Sequence, residues 1–197
     1  MTRKRVAILI SGRGSNMAAL IEAARDKNYP AEIVLVVSNR ADAAGLVRAR
    51  ENGIEAEVVD HKPFGKDREA FDRAVYAVLQ AHNIDIVCLA GFMRLLTPWF
   101  VAQWTGRMIN IHPSLLPAFK GLRTHERAIA EGATQHGATV HFVTPKLDDG
   151  PIIVQQGVPV KSGDTPGTLA ARVLEVEHRI YPEALRLVAN GQADQPG

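Results

Sequence analysis

Three polar side chains in two short segments have the types that promote attack on a carbonyl. Asn110 and His112 end an apolar run, and Asp148 lies in the turn-rich segment Leu147-Asp148-Asp149-Gly150. Because side chains alternate along a strand, Asn110 and His112 share one face of it, while Ile111 points into the opposite layer. A donor amide and an imidazole that point at one spot can stabilise an oxyanion. A carboxylate beside the imidazole would orient it and favour its charged form.

Each of these residues also has an ordinary structural interpretation. A histidine at a strand end is often only hydrogen-bonded within the fold, and an Asp-Gly pair is typical of a turn. The spacing leaves open whether Asp148 meets His112. Covalent catalysis is not predicted, because the chain has no Gly-x-Ser-x-Gly segment and Cys88 lies inside an apolar run. A metal is not predicted either, because no metal-binding spacing connects the other histidines, which are His61, His82, His125, His136, His141 and His178.

A glycine-rich turn, Ser11-Gly12-Arg13-Gly14-Ser15-Asn16, follows the first predicted strand and opens the first helix. Backbone N–H groups and the helix dipole can hold an anion there, and glycine lets the backbone approach it. A dinucleotide site is not indicated, because Met17 stands where the third glycine belongs and no acidic residue ends the second strand. Gly14, Ser15 and Asn16 therefore predict a site for a single phosphate. A tight turn with Asn16 as the helix N-cap explains the same residues.

The elements that would carry these residues alternate between short β-branched runs and longer amphipathic ones. Strands are predicted at residues 6–10, 33–38, 56–59, 84–90 and 108–112, and helices at 17–25, 43–52 and 68–82. This alternation predicts an α/β fold with a doubly wound, mostly parallel sheet and helices on both faces. Asn110 and His112 then lie at the carboxyl edge of the sheet, where ligands bind in such folds.

The last third of the chain does not continue the alternation of strands and helices. Two strand-like runs, 137–143 and 151–158, are separated by too few residues for a crossover helix, which predicts an antiparallel C-terminal strand pair. Residues 165–190 predict a long closing helix that is broken or bent at Pro182. We expect residues 1–190 to form a single domain and the polar residues 191–197 to be a disordered tail.

Composition limits the partners. The 197 residues carry 23 basic and 21 acidic side chains without a run of one sign, so neither nucleic acid nor a membrane is predicted as a partner. A single cysteine excludes an intrachain disulfide, and the apolar start of the chain breaks off at Ser11, too early for a signal peptide. The sequence therefore predicts a cytoplasmic protein with small-molecule substrates, monomeric or homodimeric.

Six segments, in their order and spacing, resemble the folate-dependent formyltransferases, and among them the members that act in purine biosynthesis. They are SGRGSN at 11–16, LAGFMRLL at 89–96, INIHPSLLP at 109–117, GATVHFV at 137–143, LDDGPII at 147–153 and EHRIYP at 177–182. The resemblance covers nearly the whole chain. It implies transfer of a formyl group from 10-formyltetrahydrofolate, as co-substrate, to the glycinamide amine of glycinamide ribonucleotide, without a metal.

The resemblance also implies roles for individual residues. Asn110 and charged His112 would stabilise the oxyanion of a tetrahedral intermediate, and Asp148 would keep the imidazole charged and help to move protons through water. The substrate phosphate would be bound by Gly14, Ser15 and Asn16, and the glycinamide end by Glu177. The folate site would be formed by Arg68, Met93, Arg94, Leu95, Leu96 and Asn110.

Two residues depart from the family pattern. Arg13 adds a cation beside the phosphate turn where some relatives have asparagine. Asp149 stands where glycine is common, which raises the question of which carboxylate faces His112.

Other functions remain to be weighed against this one. Methionyl-tRNA formyltransferase and formyl-tetrahydrofolate deformylase share the Asn-Ile-His segment, but the length of the chain leaves no room for the additional domain that each would carry. A nucleotide-binding regulator that kept the fold and lost the chemistry is a different class of function, and the intact set of Asn110, His112 and Asp148 argues against it.

Overall fold

A seven-stranded sheet forms the centre of the computed structural model, which describes residues 2–194. Its strands are β1 (Lys4–Ile10), β2 (Ala31–Ser38), β3 (Glu55–Val58), β4 (Ile86–Leu89), β5 (Met108–His112), β6 (Gln135–Phe142) and β7 (Ile152–Pro159). They lie in the order β3-β2-β1-β4-β5-β6-β7. The first five pair in parallel, and β6 pairs antiparallel with both β5 and β7. The predicted fold class is confirmed, whereas residues 195–197 of the predicted tail lie outside the described part of the chain.

Five α-helices lie between strands, and a sixth follows β7. They are α1 (Ser15–Ala24), α2 (Ala44–Glu51), α3 (Arg68–Ala81), α4 (Pro98–Gln103), α5 (Thr124–Ala130) and α6 (Pro166–Ala189), with a 3₁₀ turn at Lys62–Phe64. The sequence did not predict α4, α5 or the 3₁₀ turn, because segments this short do not show a helical repeat. None of the described helices is both long and apolar enough to cross a membrane.

Of the break or bend predicted at Pro182, the break is wrong, because α6 runs through this residue without interruption. The flanking residues Tyr181, Ala184 and Leu185 are fully buried. The hydroxyl of Tyr29 donates a hydrogen bond of 2.6 Å to the Pro182 carbonyl. Tertiary packing of one apolar face therefore holds the helix together at a residue that would break an isolated one.

Alternate residues of the central strands face two different helical layers. Val6, Ile8 and Ile10 of β1 belong to the core shared with α1, α2, α5 and α6. Ala7 and Leu9 belong to the core shared with α3 and α4. The sheet is thus covered on both faces, as predicted.

The layer built from α3 and α4 does not extend over the antiparallel part of the sheet. Its buried apolar residues, within the described chain, include Met108 of β5 and none of β6 or β7. Loops cover this region instead: Leu116 N–H donates to Thr139 Oγ1 at 3.1 Å, and Gln155 Nε2 donates to Leu116 O at 2.9 Å. Since Asn110 and His112 lie on the same face as Met108, loops rather than helices surround them.

Candidate active site

Asn110, His112 and Asp148 come together on this face of β5, although 36 residues separate His112 from Asp148. His112 Nδ1 lies 3.5 Å from Asp148 Oδ2, and both side chains are more than nine-tenths buried. Gly121 N–H donates to the same carboxylate oxygen at 2.8 Å. The pairing that the spacing left open is therefore made in the fold.

Asp148, not Asp149, is the carboxylate that faces the histidine. The two neighbours diverge because Asp148 has a left-handed backbone, with φ of 48°. Asp149 forms an exposed ion pair with Lys120, whose hydrogen bond holds the pKa of the Asp149 carboxyl below its usual range. The replacement of glycine at 149 thus leaves the orientation of Asp148 toward His112 intact.

His112 meets an oxygen acceptor at each ring nitrogen. While Nδ1 faces Asp148, Nε2 donates to the carbonyl oxygen of Phe119 at 2.9 Å. Phe119 has a φ of 54°, an uncommon conformation for a residue with a bulky side chain. The imidazole is therefore held in one orientation, with an oxygen positioned at Nε2.

His141 is a further member of this group, which the sequence analysis did not single out. It lies directly opposite Asn110 in the antiparallel pair of β5 and β6, and Asn110 Nδ2 donates to His141 Nε2 at 3.3 Å. His141 Nδ1 donates to Phe142 O at 2.8 Å, which fixes the tautomer. Burial lowers the pKa of His141, so its neutral Nε2 orients the Asn110 amide. Identifying His141 as a neighbour of Asn110 requires the register between β5 and β6, which could not be predicted from the sequence.

Two more histidines, one buried and one partly buried, lie behind the site. His136 Nε2 and His125 Nδ1 are 3.2 Å apart. Burial lowers the pKa of both, that of His136 to about 4, and repulsion from neighbouring imidazoles lowers them further. These histidines are therefore neutral at physiological pH.

The glycine-rich turn forms a concave surface at the start of α1. Gly14 has a φ of 69° and occupies the N-cap position without a side-chain cap, so the alternative in which Asn16 caps the helix is wrong. A cavity of about 180 Å³ is lined by residues 12–16 together with Ala90 and Gly91. The first-turn N–H groups of α1, which have no partner within a helix, can donate to an anion there.

Asn16 turns its side chain toward α6. Its Nδ2 donates to Glu177 Oε2 at 3.2 Å, while its buried Oδ1 has no partner among the described residues. Glu177 is buried, and burial raises its pKa to about 7, against the opposing effect of the Asn16 hydrogen bond. Ionisation of this carboxyl is therefore disfavoured in the free protein, and a cationic or amine ligand would stabilise its charged form.

Residues 4–185 match the family described as formyl transferase. The chain belongs to the formyl transferase family. A phosphoribosylglycinamide formyltransferase of Escherichia coli is 46% identical over 187 residues, which cover 95% of this chain and 88% of the relative. The structure of glycinamide ribonucleotide transformylase 1 from Symbiobacterium toebii aligns with a TM-score of 0.95 at 47% identity, and covers 99% of this chain and 92% of that one.

Other relatives are much longer. The trifunctional purine biosynthetic protein adenosine-3 of Homo sapiens is 54% identical over 189 residues, which are 96% of this chain but 19% of the relative. The chain thus spans about a fifth of the length of such trifunctional relatives.

The loop after β4 contains most of the predicted folate residues. It begins beside the site, because Leu89 is paired in register with Asn110. The side chains of Met93 and Leu95 are about two-thirds exposed. The Arg68 side chain binds the backbone of the loop, because its Nη2 donates to Leu95 O at 2.8 Å. The Arg94 guanidinium lies over the Phe71 ring. Leu96 packs against the core below.

Two buried polar contacts anchor the two ends of this loop, and the sequence analysis missed both. Ser11 Oγ donates to Asn39 Oδ1 at 2.5 Å and accepts from Met93 N–H at 2.8 Å. Asp72 accepts from the backbone and hydroxyl of Thr97 at 2.7 and 2.6 Å, where α4 begins. Burial raises the pKa of Asp72. The first contact links the loop to the glycine-rich turn, since Ser11 opens that turn.

Proposed function

We propose that this formyl transferase transfers the formyl group of 10-formyltetrahydrofolate to the glycinamide amine of glycinamide ribonucleotide in purine biosynthesis. One observation carries the proposal. The buried group of Asn110, His112 and Asp148 and the cavity at α1 lie at the same edge of the sheet, beside the carboxyl ends of β5 and β1, with the end of β4 between them. The names of the Escherichia coli and Symbiobacterium toebii relatives agree with this substrate.

The phosphorylated substrate would bind along the turn. Gly14, Ser15 and Asn16 would hold the phosphate at the N-terminus of α1, mainly through backbone N–H groups because the Asn16 amide is engaged with Glu177. Glu177 would accept hydrogen bonds from the glycinamide end. A bound amine would favour the ionised form of this carboxyl.

The chemistry would be direct attack. The amine nitrogen bonds to the formyl carbon, and the carbonyl oxygen gains negative charge. His112 Nε2 would then donate to this oxyanion in place of Phe119 O, which marks the position of an oxygen at 2.9 Å. Asn110 has a second N–H besides the one directed at His141 and would donate it to the same oxygen.

Collapse of the intermediate breaks the bond between the formyl carbon and the folate nitrogen. The attacking amine loses one proton and the folate nitrogen gains one, so a proton acceptor and a donor are required. Asp148 would keep His112 oriented and charged and help to pass this proton through water. The folate would lie along the loop after β4, against Arg68, Met93, Arg94, Leu95, Leu96 and Asn110.

A turnover assay with glycinamide ribonucleotide and 10-formyltetrahydrofolate tests the proposal. We expect release of tetrahydrofolate that depends on the ribonucleotide and is matched by formylated product. Release of tetrahydrofolate at the same rate without the ribonucleotide would identify a deformylase instead. Binding of both ligands without turnover would indicate a regulator that has lost the chemistry, and it would contradict the proposal.

A further inference from the structure

Three potential metal ligands meet at the edge of the sheet that is far from the candidate active site. Glu55 and Glu57 lie two residues apart on the edge strand β3, so their side chains share one face. His82 follows the last residue of α3. Its Nε2 lies 3.2 Å from Glu55 Oε2 and 3.4 Å from Glu57 Oε1. The three ligand atoms all lie within 4.8 Å of one another.

The two distances from the imidazole nitrogen to the carboxylate oxygens match those between the ligands of a tetrahedral metal ion. Zinc is bound at about 2.0–2.2 Å by imidazole nitrogen and carboxylate oxygen, which places neighbouring ligand atoms about 3.3–3.5 Å apart. The imidazole is also oriented as a ligand, because Nδ1 donates to Val78 O at 2.9 Å and leaves Nε2 directed at the carboxylates. Metal-binding histidines have this second hydrogen bond almost always.

The local charge favours a cation. Among the described residues, neither Glu55 nor Glu57 has an ion-pair partner other than His82. Two guanidinium groups nearby bind other partners. That of Arg5 donates to the backbone carbonyl of His82 at 3.0 Å and lies 3.6 Å from Glu32. That of Arg50 donates to the backbone carbonyl of Ala56 at 3.2 Å. Two carboxylates therefore converge on a single imidazole.

We propose that Glu55, Glu57 and His82 bind a divalent transition-metal ion, zinc as the reference case, with water completing its coordination. The mixed imidazole and carboxylate set suits such an ion better than calcium or magnesium, which prefer oxygen ligands alone. The site joins the edge strand to the end of α3, so the ion stabilises this edge of the sheet. It takes no part in the proposed reaction.

Calorimetric titration of the full chain with zinc chloride tests the site. Any affinity tag is removed first, and bound metal is removed with a chelator. We expect one equivalent to bind, and binding at least about 10-fold weaker in Glu57→Gln and in His82→Gln. His61→Gln is the matched control, because His61 also lies beside a carboxylate, that of Asp60 at 3.8 Å, but beside only one. It should bind zinc as the wild type does.

A second measurement locates the ion without a variant. In NMR spectra of the wild-type chain, one equivalent of zinc should move the imidazole resonances of His82 more than those of any other histidine. The proposal is overturned if the His82 resonances stay in place at one equivalent. It is equally overturned if His82→Gln, folded by its thermal transition, binds zinc as tightly as the wild type.

Discussion

Four histidines lie in or behind the candidate site, and they differ in the acceptors that face their ring nitrogens. Burial lowers the pKa of His125, His136 and His141. Only His112 has an oxygen acceptor within 3.5 Å at each ring nitrogen, one from Asp148 and one from Phe119. Of the four, His112 is therefore the one that can donate from Nε2 to an oxygen while a carboxylate faces Nδ1, which is the arrangement that the proposed oxyanion requires.

Replacement of His112 by alanine should lower kcat on the order of 10²- to 10⁴-fold, because an oxyanion donor and a proton-transfer group are lost together. The Kd for the folate should change little. Steady-state kinetics and equilibrium folate binding measure the two effects. A folded variant that kept most of its turnover would reduce His112 to a structural residue.

Asp148→Asn should lower kcat on the order of 10²-fold or more, because it removes the charge beside His112 at nearly constant size. Asp149→Asn is the matched control. It breaks only the exposed ion pair with Lys120, which contributes little to stability. Kinetics of both variants give the comparison, and a larger effect at Asp149 than at Asp148 would contradict the assignment.

Glu177 makes the stability of the protein depend on pH. Its pKa rises from 4.5 to about 7 on burial, so the folded chain holds this proton more tightly than the unfolded chain. Stability is therefore lost as pH rises from 4.5 through 7. Glu177→Gln cannot ionise and should be more stable than the wild type at pH 8, on the order of 3 kcal/mol, and nearly equal at pH 4.5.

Urea denaturation of both proteins at the two pH values measures this difference. The same substitution should raise the KM for glycinamide ribonucleotide, because the amine loses its acceptor. A variant that was less stable than the wild type at pH 8 would show that the charge of Glu177 is well accommodated in the free protein.

At the scale of an element, the turn from β1 into α1 depends on glycine. Gly14→Val should raise the KM for the phosphorylated substrate and leave the folate KM nearly unchanged. The residue has a φ of 69°, and a Cβ there would lie 2.9 Å from Met17 Cε and 3.3 Å from the Gly45 backbone. Initial-rate measurements with each substrate varied in turn separate the two constants. An equal rise in both would mean that the substitution disturbs the fold more widely.

The elements themselves were largely predictable, and their contacts were not. Alternation of β-branched and amphipathic runs was enough to predict strands and long helices, since each buries one periodic face. It could not predict α4 and α5, which have six and seven residues. It also could not place His141 beside Asn110, because the register of an antiparallel pair is set by packing between distant segments.

At the scale of the whole molecule, the candidate site draws on residues from nearly the full length of the chain. Ser11 and Asn16 come from the first turn, and Glu177 comes from the last helix. The Tyr181 hydroxyl, also in α6, donates to Leu89 O at 2.8 Å, where β4 ends. The closing helix is therefore part of both the core and the site.

A chain that ends at Asp164 should not fold, because it lacks α6 and the eight buried apolar residues of that helix, which are Leu169, Val173, Val176, Ile180, Tyr181, Ala184, Leu185 and Val188. We expect no cooperative thermal transition. A chain that ends at Asn190 is the control for the proposed domain limits, and its Tm should change by less than about 2 °C. A cooperative transition in the shorter chain, measured by circular dichroism, would contradict this.

The carboxylates of β3 also affect how the edge of the sheet can pair with other chains. The sheet has two outer strands, β3 and β7, and no further strand pairs with the N–H and C=O groups on the outer side of each. Glu55 and Glu57 occupy two of the four positions of β3, and Pro159, which has no N–H, ends β7. Like charges would face each other if two β3 edges approached, and proline interrupts a continued ladder. Both ends of the sheet are thus protected against edge-to-edge aggregation.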